Sequence, residues 1–149
     1  MEFNKITSDL EFLGTSVKKL SIENTITALS PEAKKSIGLD IRPLVFHKEN
    51  GFHFSRLSIL ITVEVEQENG TTKIDLELEG AFSKPVDTDD EHDLDEFQTL
   101  VMINGAAALY SICRSKVETV TALTYSSGKL LLPFVNIFEY YKENEPEIN

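Results

Sequence analysis

The sequence is short of positive charge. Its 14 lysines and arginines stand against 25 aspartates and glutamates, which gives a formal net charge of −11 at pH 7. A surface of this sign repels the phosphates of nucleic acids and anionic lipids, so we expect no binding to nucleic acid and no direct membrane binding. A basic protein partner is compatible with this charge.

Cysteine is also scarce, because Cys113 is the only one in 149 residues. A single cysteine excludes an internal disulfide and fits a reducing compartment. The N-terminal MEFNKITSDLEF shows no secretory signal, and the longest uncharged run, 97–113, is short for a membrane span. We therefore expect a soluble cytoplasmic protein. It should be a single domain over 1–149, with an ordered core from about residue 10 to 141 and a polar tail over 142–149.

Motifs for catalysis and cofactor binding are missing as well. The sequence contains no phosphate-binding loop, nucleophile elbow or dinucleotide fingerprint. His47, His53 and His92 lack the spacing of metal ligands, and we place His47 and His53 at the surface beside a turn. DTDDEHDLDEFQ has His92 and Gln98 where a calcium loop needs glycine and glutamate. We interpret Cys113 as a buried packing thiol, and we expect no enzyme, no metal and no cofactor.

The clearest pattern is a hairpin with the sequence VEVEQENGTTKIDLELEG. The Asn-Gly pair at 69–70 favours a two-residue type I′ turn. That turn predicts Val65 opposite Ile74 on an apolar face and Glu64 opposite Asp75 on an acidic one. Like charges placed opposite each other cost up to roughly 1 kcal/mol. The acidic face is either a solvated surface that keeps the sheet soluble or a docking surface for a basic partner, and the hairpin alone leaves both open.

The rest of the chain predicts strands first and helices afterwards. Alternating apolar and polar residues indicate strands at 10–23, 39–47, 52–67 and 71–82. The first strand should bend near Gly14, and the second should carry a bulge or form an edge at Pro43, which has no N–H to donate. Asp93 is the predicted N-cap of a long helix over about 94–124. A short helix begins near Asn136.

The long helix has apolar residues on two sides, and each side needs a cover. One side carries Phe97, Val101, Ala108 and Ile112, and the other carries Ile103, Ala106, Tyr110, Cys113 and Val117. A sheet covers only one of them. The second is covered by loops of the same chain or by another subunit, and we favour another subunit.

Further apolar residues lie at predicted strand ends, in loops and in the last short helix. They are Phe46, Phe52, Phe54, Leu131, Phe134, Phe138, Tyr140 and Tyr141. Such residues either close the core or form a groove for an extended apolar peptide.

Taken in order, several segments resemble the SecB family of export chaperones over about residues 10–141. VKKLSIEN is similar to the family's first strand and DLELEGAF to the end of its fourth strand. AAALYSICRSKV is similar to its long-helix signature, and LLLPFVNIFEYY to the segment that leads into its terminal helix. Lys19 departs from the pattern, since the family usually has an acid there.

The resemblance implies an α+β fold, a four-stranded antiparallel sheet with one long helix packed on one face and a short C-terminal helix. It implies a homotetramer, built as a dimer of dimers. The implied function is that of an ATP-independent holdase, which binds unfolded or precursor polypeptides in apolar grooves. It hands them to a partner, in export through the translocation ATPase SecA. A chaperone of a toxin–antitoxin system, with an antitoxin as partner, is the alternative. A small apolar-ligand binding protein or an interaction module on the same fold are the rivals from other classes.

Pattern and resemblance together assign three sets of residues. Client binding is assigned to Phe46, Phe54, Leu131, Phe134 and Phe138. Docking of a SecA-like partner is assigned to Glu23, Glu64, Asp75 and Glu77. The oligomer interface is assigned to Gly105, Ala106, Ala107, Tyr110 and Arg114. No catalytic or metal-binding residue is assigned.

Overall fold

The computed structural model describes residues 9–88 and 90–144. The strands are β1 (Glu11–Asn24), β2 (Lys34–Glu49), β3 (Phe52–Gln67) and β4 (Gly70–Pro85). A long helix, α1, spans 91–124 through α-helical Glu91–Leu100, π-helical Val101–Gly105 and α-helical Ala106–Thr124. A short helix, α2, spans Ile137–Glu143. The predicted order of elements is confirmed, and the last five residues of the predicted tail lie outside the described residues.

The strands form one antiparallel sheet in the order β1-β4-β3-β2. Tight turns join β2, β3 and β4, whereas the loop 25–33 carries the chain from β1 at one edge to β2 at the other, as in a Greek key. The register of β1 shifts between Phe12 and Gly14, and that of β2 between Pro43 and Val45. Both predicted irregularities are therefore confirmed, the second because proline cannot donate to the ladder.

The register predicted for the β3–β4 hairpin is wrong by two residues. Gln67 pairs with Gly70, so the turn falls at 68–69, and neither of these residues has a positive φ. A Cβ on Gly70 would lie 2.9 Å from the carbonyl oxygen of Thr25, so this glycine allows the chain leaving β1 to approach closely. A shift of two residues keeps every side chain on its predicted face.

A different Asn-Gly pair adopts the type I′ geometry. Asn50 and Gly51 join β2 to β3 with φ angles of 51° and 80°. Both central residues of a type I′ turn need positive φ, and this pair supplies them.

The hydrophobic core lies between the sheet and α1. The central strands bury Leu57, Ile59, Ile61, Val63 and Val65 from β3, and Ile74, Leu76, Leu78 and Phe82 from β4. The helix buries Phe97, Val101, Ala106, Leu109, Cys113 and Val117 against them. The period of two in the strands is the one read from the sequence. The two sides predicted for the helix are wrong, because Phe97 and Val101 are buried with Ala106, Cys113 and Val117, while Ala108 is exposed. The π-helical segment Val101–Gly105 lies between Phe97 and Ala106 and changes their spacing around the helix.

Two glycines set the distance between α1 and the sheet. A Cβ on Gly80 would lie 2.5 Å from a methyl carbon of Leu109, and one on Gly105 would lie 3.0 Å from the ring of Phe82. Each glycine therefore receives a large side chain from the opposite layer, which fixes the helix along β4 as well as above it.

The start of α1 differs from the prediction. Asp90 is the N-cap, and its carboxylate accepts a hydrogen bond from the backbone N–H of Asp93 at 3.0 Å. The predicted cap, Asp93, is buried in the first turn instead. The cap of α2 is Asn136, whose side chain accepts from the N–H of Glu139 at 3.2 Å, as its position predicts.

The C-terminal segment, defined as residues 125–136, returns along the second side of α1. Arg114 donates through Nε to the carbonyl of Leu132 at 2.9 Å, and the Tyr110 hydroxyl donates to the carbonyl of Pro133 at 2.5 Å. The chain itself therefore covers this side of the helix at Tyr110 and Arg114, where we favoured another subunit.

We expect Leu109→Ala to lower the free energy of unfolding by about 2–5 kcal/mol, because it leaves a cavity between the helix and Gly80. Leu123→Ala is the matched control, since Leu123 is 83% exposed on the same helix, and its effect should stay within about 0.5 kcal/mol. Adding Gly80→Ala to Leu109→Ala should recover part of the loss by filling the cavity. Urea unfolding followed by circular dichroism measures all three, and equal effects of the two leucine changes would contradict this packing.

Candidate functional site

The outer face of the sheet, the side turned away from α1, carries the four acids assigned to partner docking. Glu23, Glu64, Asp75 and Glu77 all lie on it. Lys73 stands between Glu23 on β1 and Glu64 on β3, so both acids have a cation directly opposite. The predicted like-charge pair of Glu64 with Asp75 is therefore wrong, as a consequence of the shifted register.

Other charges on the outer face also alternate in sign. Lys19 stands opposite Glu77, and Arg56 lies 3.1 Å from a carboxylate oxygen of Glu79. Opposite-charge pairs across strands contribute roughly 0.2–1 kcal/mol each. Lys19, which departs from the family pattern, thus gives Glu77 a partner of opposite charge. The outer face carries charges of both signs, and acids predominate.

Three of the five residues assigned to client binding are exposed together around the C-terminal segment. Leu131 is 62%, Phe134 is 87% and Phe138 is 62% exposed. Their neighbours Leu130, Leu132 and Ile137 are buried and anchor the chain to the core. The guanidinium of Arg114 lies 4.1 Å from the centre of the Phe134 ring, which holds this aromatic residue beside the helix.

The other two residues assigned to client binding lie apart from this group. Phe46 is half-buried and meets the ring of Phe97 edge-on, with 6.0 Å between ring centres. Phe54 lies on the outer face, stacked on His47 at 5.1 Å. Leu131, Phe134 and Phe138 are thus exposed within residues 131–138, whereas Phe46 and Phe54 lie at the β2–β3 end of the sheet.

The edge strand β1 exposes apolar residues that our assignments omitted. Phe12, Val17 and Leu20 face the helix side of the sheet, yet all three are more than two-fifths exposed. The ring of Phe12 packs against that of Phe82, with 5.2 Å between ring centres. The alternating pattern of VKKLSIEN could have identified these residues. Apolar residues on an edge strand stay exposed to solvent when no other element packs over them.

The residues assigned to an oligomer interface divide by exposure. Gly105, Ala106 and Tyr110 are buried within the chain, and Arg114 is half-buried under the C-terminal segment. Ala107 is exposed, and so are Ala108, Ser111 and Ser115 on the same side of α1. Of the five assigned residues, Ala107 alone is exposed.

His53, which we placed at the surface, is buried at 3% exposure. Its ring stacks on Phe97 at 5.1 Å, and its Nε2 lies 2.8 Å from a carboxylate oxygen of Asp93. Lys84 is buried beside them, with Nζ 4.0 Å from Asp93 and 2.9 Å from Asp87. We call His53, Lys84 and Asp93 the buried polar cluster, and the exposed Asp87 bonds to Lys84 from its edge. Sequence patterns missed the cluster because its members come from β3, β4 and α1.

The cluster sets the ionisation of its members. The hydrogen bond from His53 holds the pKa of the Asp93 carboxyl below its usual range, although burial acts in the opposite direction. The hydrogen bond to Asp87 raises the pKa of Lys84. Both shifts favour the charged forms, so the cluster contains a buried carboxylate and a buried ammonium.

Cys113 lies at the centre of the core. Burial raises the pKa of its thiol to about 12, so the thiolate is not formed at neutral pH. Within residues 9–88 and 90–144, no three His, Cys, Asp or Glu side chains form a group that holds a metal. No helix in the same part of the chain is long and apolar enough to cross a membrane.

Among solved structures, the fold is similar to a SecB-like chaperone from Mycobacterium tuberculosis, in complex with a ChAD peptide from the HigA1 antitoxin. The TM-score is 0.60 at 14% sequence identity, over 85% of this chain and 91% of that chain. A protein of unknown function from Streptococcus agalactiae gives a TM-score of 0.39 at 12% identity, over 84% and 97% of the two chains. No protein-family model and no curated protein matches the sequence. The first likeness confirms the predicted SecB-like fold.

The buried polar cluster predicts a pH dependence of stability. Because the folded pKa of Asp93 is lowered, its carboxylate stabilises the fold above the unfolded pKa of about 3.9, and this is lost as pH falls through the folded pKa. Asp93→Asn should therefore unfold at lower urea concentration than the wild type at pH 7, and the difference should shrink in acid. Asp95→Asn, an exposed change in the same helix, is the control. A difference for Asp93→Asn that stays constant with pH would contradict the assignment.

Proposed function

We propose that this chain is an ATP-independent chaperone that holds non-native polypeptides in the cytoplasm, without a catalytic step or a cofactor. The observation that carries the proposal is the exposure of Leu131, Phe134 and Phe138 around a segment that is itself firmly anchored. A monomeric fold gains nothing from large apolar side chains in water, and contiguous exposed apolar surface is typical of interaction sites.

The likeness of the fold to a solved structure also supports this function. The SecB-like chaperone that it resembles was solved with a peptide bound, so this architecture does bind polypeptide in at least one protein. That peptide comes from an antitoxin, which favours an antitoxin as client over precursors destined for export. Export through SecA is the second form of the proposal.

The outer face of the sheet is the proposed docking surface for a basic partner such as SecA. Glu23, Glu64, Asp75 and Glu77 share this face, and the net charge of −11 attracts a basic partner over a distance. Lys73 and Lys19 lie among these acids and reduce the local charge. The charges on this face should therefore act mainly on the association rate of the partner and less on its dissociation rate. Docking there should weaken as the salt concentration rises.

We extend the proposal to a homotetramer. The exposed small residues Ala107, Ala108 and Ser111 let a second helix approach closely. The open apolar residues of β1 offer a second surface. Both surfaces lie on elements that the chain leaves uncovered.

We expect the double variant Leu131→Asp, Phe138→Asp to lose holding activity. The molar ratio of chaperone needed to suppress aggregation of thermally unfolded citrate synthase should rise about tenfold or more, which corresponds to about 1.4 kcal/mol of binding. The melting temperature should stay almost unchanged, because both side chains are mostly in solvent.

Leu123→Asp is the control for this experiment, since Leu123 is an exposed leucine on α1 that is not one of the three residues. It tests whether any exposed leucine serves equally well. If the control loses as much activity as the double variant, the C-terminal segment is not the client surface. If the wild type never suppresses aggregation, the chaperone proposal itself is wrong.

Ala107→Glu tests the assembly. A helix–helix interface at this position would bury an unpaired carboxylate at a cost of several kcal/mol, so the variant should dissociate. Light scattering at micromolar concentration measures the mass of the wild type, the variant and Thr99→Glu, an exposed change elsewhere on α1. A monomeric wild type would contradict the tetramer, and an unchanged mass for Ala107→Glu would place the interface elsewhere.

A further inference from the structure

The outer face of the sheet becomes apolar toward the β2–β3 turn. There the register aligns one residue of each strand in a row across the sheet, namely Gly14, Ala81, Arg56 and Val45. The next row toward the turn carries Phe54 and His47. Because Gly14 and Ala81 are small, a depression of about 270 Å³ lies between their larger neighbours. We call this depression the apolar cup, and its lining includes Leu13, Val45, His47, Phe54, Arg56 and Ala81.

Both edge strands are irregular beside the apolar cup. The register passes over Leu13 in β1 and Leu44 in β2. Gly14 has a φ of 140°, a conformation that favours glycine, and a Cβ on it would meet no atom within 4 Å. Glycine is thus needed here for the path of the backbone, which places Leu13 in the lining of the cup. Bulges of this kind re-aim side chains and are frequent beside functional sites.

The apolar side chains of the cup are open to solvent in the described part of the chain. Leu13 is 49% and Val45 is 43% exposed. The ring of Phe52, which is 40% exposed, lies 6.2 Å from that of Phe54 and extends the apolar surface toward the turn. A sheet face that serves solubility alone is polar throughout, whereas an apolar patch with a polar rim is typical of an interaction site.

The charges around the apolar cup favour a basic ligand over an acidic one. Arg56 is the cation of the lining, and its Nη1 lies 3.1 Å from a carboxylate oxygen of Glu79. The Nε2 atom of His47 lies 3.8 Å from Glu49. Glu11 faces the same side of the sheet, and its partner in the register is a serine, so it adds a negative charge that no cation opposite offsets. The next cations along the face also have acids beside or opposite them, Arg42 with Asp40 at 2.7 Å and Lys19 with Glu77.

We propose that the apolar cup receives one large apolar side chain of a basic, extended polypeptide. The volume of about 270 Å³ is below the 300–1,000 Å³ of pockets that hold small molecules, so the cup suits a side chain better than a whole ligand. The inference rests on the proposed docking of a basic partner at the outer face, and it names the apolar anchor of that docking.

A second depression connects the cup to the acids of the outer face. It shares Leu13 and Ala81 with the cup and is also lined by Glu79. Further along β4, Asp75 stands opposite uncharged residues on both neighbouring strands. A polypeptide anchored in the cup therefore meets negative charge with its basic residues at Glu11 beside the cup and at Asp75 along the strand.

Titration of the whole protein with the peptide KKSFSKK tests the cup. The methyl resonances of Leu13, Val45 and Ala81, read in proton–carbon correlation spectra, should move saturably. The peptide KKSASKK lacks the aromatic ring and should bind about tenfold more weakly, because the residue that fills a pocket carries most of the binding energy. Equal binding of the two peptides, or shifts confined to the C-terminal segment, would overturn the cup and leave the docking face standing. Binding of neither peptide would overturn both.

Two exposed leucines provide a matched pair of variants. Leu13 and Leu44 are 49% and 44% exposed at the irregularities of the two edge strands, and of these two Leu13 lines the cup. Leu13→Ser should raise the dissociation constant of KKSFSKK about fivefold or more, whereas Leu44→Ser should leave it unchanged. Both proteins should remain folded, since neither side chain is buried. Equal effects of the two changes would mean general apolar attraction and would overturn the cup.

Asp75→Asn separates the anchor from the charge. It removes a carboxylate outside the cup, so it should weaken KKSFSKK and KKSASKK by the same factor. An unchanged affinity for both peptides, with the difference between them intact, would support the cup and contradict docking at the acids.

Two further titrations test the other occupants, which are a second copy of the chain and a small apolar molecule. Dilution of the protein alone should leave the methyl resonances of Leu13, Val45 and Ala81 in place, and toluene should not saturate them at millimolar concentration. A shift on dilution would assign the cup to contact between copies, and saturation by toluene would assign it to a small ligand. Either result would overturn the proposal.

Discussion

The width of a single helix governs the distribution of apolar surface in this protein. An α-helix with its side chains is about 10–12 Å across, and neighbouring strands lie about 4.8 Å apart. One helix therefore covers about two strands of a four-stranded sheet. Here α1 covers β3 and β4, held in place by Leu109 over Gly80 and by Phe82 under Gly105. The helix-facing residues of β1 and β2 need another cover or stay open.

The C-terminal part of the chain provides that cover on the side of β2. The hydroxyl of Tyr140 accepts a hydrogen bond from the backbone N–H of Ile41 at 2.9 Å, and Tyr141 contacts Met102 on α1. Along β1, the described residues place no comparable element, and Phe12, Val17 and Leu20 remain exposed. The C-terminal segment that forms this cover is a single extended chain. Leu130 and Leu132 are therefore buried in the core, whereas Leu131 and Phe134 are exposed to solvent. Exposed apolar surface is thus a geometric consequence of this fold, and a chaperone requires such surface.

The fold class, the core faces of the strands and the face of each acid were predictable because they depend on periodicity. A period of two assigns a strand residue to a face whatever the exact register, and a shift of two residues preserves that assignment. The register itself was not predictable, because an Asn-Gly pair does not always occupy the two central positions of a type I′ turn. Asn50-Gly51 adopts it, whereas Gly70 is required by the approach of Thr25, which lies 45 residues away in sequence. The pairing of Glu64 with Lys73 follows from this distant contact.

The buried polar cluster was beyond prediction for a related reason. His53 follows a turn and Asp93 sits in an acidic run, and both are typical surface contexts in sequence. Burial comes from the fold, which brings the start of β3, the end of β4 and the first turn of α1 to one point.

Charged groups buried together lose hydration that their mutual attraction repays only in part, so stability alone does not account for them. An apolar contact at this point would tolerate sliding of the helix along the sheet, whereas the bonds of Asp93 to His53 and Asp87 allow one position only. The same bonds hold the imidazole of His53 in its stack on the ring of Phe97, so one arrangement of charge fixes both the helix and the ring beneath it.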